Sequence, residues 1–157
     1  MEKTLLVDSS KCAGCRICEQ WCAFAHGKYV NEDNSRIRVV KDHKNFTNIP
    51  LVCHQCGNPI CVNSCPTKAL AKDETTGAIL LNKELCIGCR KCVRLCPYGA
   101  IHYVANTKTV TICDLCGGNP QCVSRCPMNA IMYLDTDAAE DNFREDIARK
   151  MGGQNNE

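Results

Sequence analysis

Cys86-Ile87-Gly88-Cys89-Arg90-Lys91-Cys92-Val93-Arg94-Leu95-Cys96-Pro97 decides how the rest of the chain is read. Three cysteines stand at two-residue intervals; a fourth follows three residues on, with a proline behind it. A cubane iron–sulfur cluster needs four thiolates converging on four irons, and C-x2-C-x2-C lets one tight loop present three. Gly88 inside the loop permits positive φ and close approach of the backbone. Loop amides can then point at cluster sulfur and tune its potential. The fourth cysteine faces away from its own loop, and Pro97 fixes φ where the short helical turn ends.

The motif recurs. The 16 cysteines of this 157-residue chain fall into four groups of four with none left over. Group one is Cys12, Cys15, Cys18 and Cys22, with Gly14 in its loop; group two is Cys53, Cys56, Cys61 and Cys65. Group three is Cys86, Cys89, Cys92 and Cys96; group four is Cys113, Cys116, Cys122 and Cys126. Each opens with C-x2-C and closes with C-x3-C; the middle gap is two residues in groups one and three, four in group two and five in group four. Pro66, Pro97 and Pro127 follow the last cysteine of groups two, three and four, and Ala23 replaces the proline in group one. Short runs at Thr4–Val7, Ala78–Leu81, Ile101–Val104 and Ile131–Leu134 suit β-strands, and Val93–Leu95 and its counterparts suit a single helical turn. The repeating unit is strand, cysteine loop, helical turn, proline turn, strand.

Composition narrows the function. Cysteine at about one residue in ten lies far above ordinary usage, and without it the 45% apolar share is thin for a self-sufficient core. A net charge of +2 does not suggest a nucleic-acid binder. No apolar run reaches the roughly 18 residues of a membrane span, and the N-terminus lacks a signal-peptide core. The expected location is the cytoplasm, where thiols stay reduced. Two other uses of cysteine compete. Four-cysteine zinc sites also open with C-x2-C, but they join two such knuckles across a long spacer and need no third cysteine two residues on. An eight-bridge disulfide framework fits neither the packed triplets nor a reducing compartment.

Outside the cysteines, His26, His43, His54 and His102 read as surface groups or as neighbours of ligands rather than ligands. Trp21 reads as a shield beside Cys22, Tyr98 as packing, and Asp114 as a turn-capping residue. Arg16, Arg90, Lys91 and Arg94 lie in or beside cysteine loops, where they offset cluster charge or form solvated surface. No nucleophile–base pair or phosphate loop is present, so no catalytic residue is assigned. The insertion 23–50 contains an alternating stretch, Ser35–Val40, that predicts a strand in an edge hairpin, either a partner contact or a lid. Residues 137–151 read as a helix with Phe143, Ile147 and Met151 along one side, capped by Asp135 or Asp137, ahead of a polar tail.

Four such groups, with the widened gap in the second, resemble the polyferredoxin-type subunits of molybdenum and tungsten oxidoreductases over roughly residues 3–135. Ala25-His26, Ser35-Arg36-Ile37-Arg38-Val39, Gln55-Cys56 and Cys113-Asp114-Leu115-Cys116-Gly117-Gly118 look most like the small subunit accompanying tungsten aldehyde oxidoreductases. The resemblance implies an α+β fold of two ferredoxin-like, pseudo-twofold halves around four 4Fe-4S clusters. The inner half is 51–104; the outer half is 1–50 plus 105–135; 136–157 form a C-terminal helix and tail. It also implies crossed ligand sets: Cys12, Cys15, Cys18 with Cys126; Cys113, Cys116, Cys122 with Cys22; Cys53, Cys56, Cys61 with Cys96; Cys86, Cys89, Cys92 with Cys65. The chain would itself be non-catalytic, relaying electrons between a large tungsten- or molybdenum-pterin subunit and an external flavin, NAD or ferredoxin partner in an anaerobic cell, with self-association open. A hydrogenase or formate dehydrogenase subunit, a free polyferredoxin and a zinc-stabilised assembly module are the competing readings. Four clusters, each carrying about two negative charges with its thiolates, would turn +2 into about −6.

Overall fold

The computed structural model describes residues 3–136; the helix expected over 137–151 lies outside them. Among the described residues, strands pair only two by two, as four antiparallel sheets. β1 (Lys3–Val7) pairs with β8 (Ile131–Asp135), so the strand before group one closes against the strand after group four. Leu5 of β1 and Ile131 of β8 are buried, anchoring this closure. β2 (Arg38–Asp42) and β3 (Thr47–Leu51) form the hairpin expected in the insertion. β4 (Leu70–Lys72) pairs with β5 (Ile79–Leu81), and β6 (His102–Val104) with β7 (Thr109–Thr111). The last hairpin runs across residue 104, the expected inner boundary.

The insertion strand starts later than expected, at Arg38 rather than Ser35. The Ser35 hydroxyl donates to the Ile37 carbonyl at 2.7 Å and accepts the Ile37 amide at 3.4 Å. This local ring uses the backbone groups that a ladder would need. From Arg38 the strand turns Val39 inward, whereas Val40, its cross-strand partner Ile49 and the following Lys41 are exposed.

Three helices are single turns: α2 (Ile60–Asn63), α3 (Lys91–Leu95) and α4 (Gln121–Ser124). Each starts one residue before the third cysteine of its group, carries that cysteine and ends before the fourth, and the proline behind the fourth prevents continuation. α1 (Ile17–Gly27) has no such stop. Ala23, a good helix former, carries it through Cys22 for a further turn, to a left-handed Lys28 at φ 60°. Group one thus has no turn after its last cysteine. α1 packs on α4 and α2 on α3. The core joins Leu5, Ile37, Val52, Ile79, Val110 and Leu115 to the buried cysteines Cys18, Cys22, Cys53, Cys61, Cys92, Cys113 and Cys122.

Candidate metal centre

All sixteen cysteines are free thiols. Each loop turns the same way. The residue before the second cysteine is left-handed in every group: Gly14 (φ 67°), Gln55 (φ 50°), Gly88 (φ 66°) and Leu115 (φ 57°). Glycine announces this bend in groups one and three; Gln55 and Leu115 give no such signal. Gln55 is instead fixed by burial. Its amide nitrogen donates to the Cys113 carbonyl at 2.9 Å and its oxygen accepts the Ile79 amide at 2.8 Å, linking groups two and four. Arg16 and Arg90, left-handed at φ 60°, start α1 and α3. The Arg16 guanidinium reaches the Val39 carbonyl at 3.4 Å, and that of Arg90 lies 3.7 Å over the Tyr103 ring. Lys91 and Arg94 are exposed.

The proline-containing echo also acquires a role. Lys68, Gly99 and Asn129, each third after a group's last cysteine, are left-handed. Beyond that bend the Ala69 amide donates to Cys65 Sγ, and the Ala130 amide to Cys126 Sγ, both at 3.3 Å. In group one, which lacks the echo, the Arg36 amide from the insertion donates to Cys22 Sγ at 3.2 Å. Such amides stabilise thiolate and tune a bound cluster.

Two cavities each bring four cysteines together. One is lined by Cys12, Cys15, Cys18 and Cys126, with Val39, Pro50 and Met128. The other is lined by Cys53, Cys56, Cys61 and Cys96, with Ile60, Ile79 and Tyr98. Elsewhere, Cys122 lies within electrostatic reach of Cys22, Cys116 and Cys18; Cys113 of Cys122, Cys53 and Cys22; and Cys92 of Cys61, Cys86 and Cys89. Cys65 follows α2, the turn packed on α3.

Burial pushes the thiols of Cys18, Cys53 and Cys122 up to about 12 and that of Cys92 to about 11. Cys61 and Cys113 rise for the same reason. At neutral pH these interior thiols carry protons unless a metal displaces them. Cys65 runs the other way: burial raises it, but the Thr67 hydroxyl and the Ala69, Leu70 and Thr67 amides outweigh burial and lower it. Cys116 is likewise raised by burial but lowered further by His26. Converging thiols, inward amides and positive-φ loops suit an iron–sulfur group.

One network was not legible in the sequence. His26 Nε2 lies 3.1 Å from Asp114 Oδ1, and His26 Nδ1 lies 2.8 Å from the Cys22 carbonyl. Asp114 also pairs with the Arg36 guanidinium and accepts the Cys116 amide at 3.0 Å, the capping role expected of it. Hydrogen bonds to Asp114, Cys116 and Cys22 push His26 up to about 12. Burial raises the Asp114 carboxyl, but His26 and Arg36 outweigh it and hold it well below the usual carboxylate range. Donor atoms of His26, Asp114 and Cys116 lie within 4.8 Å of one another, close enough for a metal ion. Asp114 already has three donors, however, so the trio reads as a brace around Cys116. Trp21 packs edge-on to Phe24 with Arg125 4.0 Å over its ring. His54 stacks on Tyr98 at 4.1 Å, and burial lowers its pKa. His43 projects from the exposed hairpin turn.

Comparison with known proteins matches residues 44–136 to the 4Fe-4S dicluster domain. The polyferredoxin-like subunit of aliphatic sulfonate oxidoreductase from Pyrococcus furiosus is 46% identical over 111 residues, 71% of this chain and 64% of that protein. The putative electron transport protein YsaA of Escherichia coli is 38% identical, covering 73% of this chain and 76% of its own length. Formate hydrogenlyase subunit 2 of Escherichia coli is 34% identical over 66% of this chain, which spans about half of that subunit, 49%. A chain of the active-site complex BamBC of benzoyl coenzyme A reductase shares the fold, with TM-score 0.51 at 23% identity over 97% of both chains. No helix among the described residues is long and apolar enough to cross a membrane. The dicluster match covers more than half of this chain, and the chain belongs to the 4Fe-4S dicluster domain family.

Proposed function

We propose that this chain is the electron-transfer subunit of an oxidoreductase complex, holding four 4Fe-4S clusters in a row and catalysing no reaction itself. The observation that carries the proposal is the convergence of Cys12, Cys15, Cys18 with Cys126, and of Cys53, Cys56, Cys61 with Cys96, around two separate cavities. We assign the remaining sets as Cys113, Cys116, Cys122 with Cys22, and Cys86, Cys89, Cys92 with Cys65. Electrostatic contacts from Cys18 to Cys122, Cys53 to Cys113 and Cys61 to Cys92 support one order of groups along the row. The exposed cysteines, Cys15 and Cys89, then belong to its two ends, and the middle is buried. Bound clusters supply one-electron uptake and release; the protein sets spacing, burial and amide contacts. Iron and acid-labile sulfide should each approach about 16 per chain. Values near four or eight would defeat the four-cluster reading.

We further propose a tungsten- or molybdenum-pterin partner that oxidises aldehydes, with a flavin, NAD or ferredoxin partner at the other end, in the cytoplasm. The Pyrococcus relative is a polyferredoxin-like subunit of an oxidoreductase, and BamBC is an active-site complex, which supports a catalytic partner. Affinity purification from the native cell should bring down a large subunit containing tungsten or molybdenum. Recovery of the holoprotein alone would favour a diffusible carrier.

A further inference from the structure

A cavity of about 250 Å³ lies apart from the four-cysteine cavities, between the insertion, β5 and β7. Arg36 and Lys83 line it, with His26 and Asp114, and Leu80 and Val110 form an apolar part of the wall. Lys83 has no carboxylate partner among the described residues, and Arg36 shares its guanidinium with Asp114 alone. Two lining residues hold unspent polar capacity: the Thr111 hydroxyl and the Asn34 amide nitrogen are buried without a hydrogen-bond partner. Such atoms are uncommon in native proteins and call for an explanation. The Arg36 guanidinium and the exposed Lys83 ammonium, set against the single carboxylate of Asp114, leave the cavity attractive to an anion, and its volume suits a small molecule.

We propose that this cavity binds a small oxyanion, a carboxylate or phosphate group held between Lys83 and Arg36, and that its occupancy is linked to the redox state of the neighbouring cysteine group. The link is structural: Arg36 pairs with Asp114, Asp114 accepts the Cys116 amide, and the Arg36 amide donates to Cys22 Sγ. This linkage rests on the reading that Cys22, Cys113, Cys116 and Cys122 hold a cluster; the anion site does not. A bound anion adds negative charge there and draws on Arg36, so it disfavours the reduced, more negative state. By reciprocity the anion binds the oxidised protein more tightly.

Isothermal titration of the anaerobic holoprotein with inorganic phosphate, and separately with acetate, tests both parts. Saturable one-to-one binding is expected for at least one probe, weakened about tenfold or more by Lys83→Gln and unchanged by Lys44→Gln, at an exposed hairpin turn that does not line the cavity. Affinity should fall about fivefold after dithionite reduction. No saturable binding with either probe, or binding indifferent to Lys83→Gln, overturns the site. Binding lost in Lys83→Gln but equal in both redox states overturns the linkage. Iron content near the four-cluster value in the same sample separates either failure from failure of the iron–sulfur reading.

Discussion

Gly88 and Gly99 adopt nearly the same left-handed backbone, φ +66° and +59°, but differ in what surrounds them. A Cβ on Gly88 would run into the Lys108 carbonyl, whereas Gly99 has nothing within 4 Å. Gly99→Ala therefore meets backbone strain alone, about 1 kcal/mol. Gly88→Ala adds a clash in a cysteine loop, on the order of 3 kcal/mol in all. Thermal unfolding of the two holoproteins measures the difference, and equal losses would show that Lys108 yields freely. The crossed ligand sets are tested at single cysteines too. Cys65→Ser should lower iron from about 16 towards about 12 per chain and alter the resonance assigned to Cys86, Cys89 and Cys92. Cys61→Ser should alter a different one. Identical paramagnetic spectra from both variants would mean that each group binds its own cluster.

Local rules read the short helices well and the insertion less well. A proline behind the fourth cysteine makes three single-turn helices legible, and its absence after Cys22 explains why α1 runs on to Gly27. Beyond the described residues nothing bears on the expected C-terminal helix. The strand Thr109–Thr111 was not legible, because three residues after a turn carry too little pattern. Ser35 misled for another reason: its side chain competes with the ladder, which alternation does not reveal. The longer α1 brings His26 against Asp114, joining the insertion to the group-four loop. Asp114, with its lowered carboxyl pKa, contributes stability that is present above about pH 3.9 and is lost on acidification through its lower folded value. His26, raised to about 12, contributes stability present below about pH 6.5 and lost as pH climbs towards that value. Both contributions are whole between about pH 4 and 6.5. Asp114→Asn should thus cost about 2 kcal/mol at pH 6, and the deficit should begin to narrow below about pH 4. Chemical denaturation of parent and variant at pH 6 and pH 3.5 measures it, and a deficit that grows in acid contradicts the assignment.

For the whole molecule, cysteine count and spacing made the chemistry legible, because a cluster constrains sequence more tightly than a hydrophobic core does. What spacing could not supply was long-range closure. Gln55 joining Cys113 to Ile79, and Arg36 reaching back to Cys22, come from residues with no motif around them. The same economy makes the fold depend on its metal. Seven cysteines sit in the core among few large apolar side chains, and among the described residues the sheets are only two strands wide. Isolated two-stranded sheets and single-turn helices are marginal in water, so thiolate–iron bonds must supply most of the cohesion. Structural metal sites commonly contribute about 10 kcal/mol or more, beyond the stability of a typical small domain. Anaerobic removal of iron by a chelator should accordingly abolish most of the far-ultraviolet circular dichroism and any cooperative thermal transition. In the unfolded apo chain the thiols regain ordinary values near 8.5. Refilling with iron and sulfide must release those protons, so reconstitution should quicken from pH 7 to pH 9. An apo chain that kept native-like dichroism, or refilled at a pH-independent rate, would mean that the polypeptide folds first and merely receives its clusters.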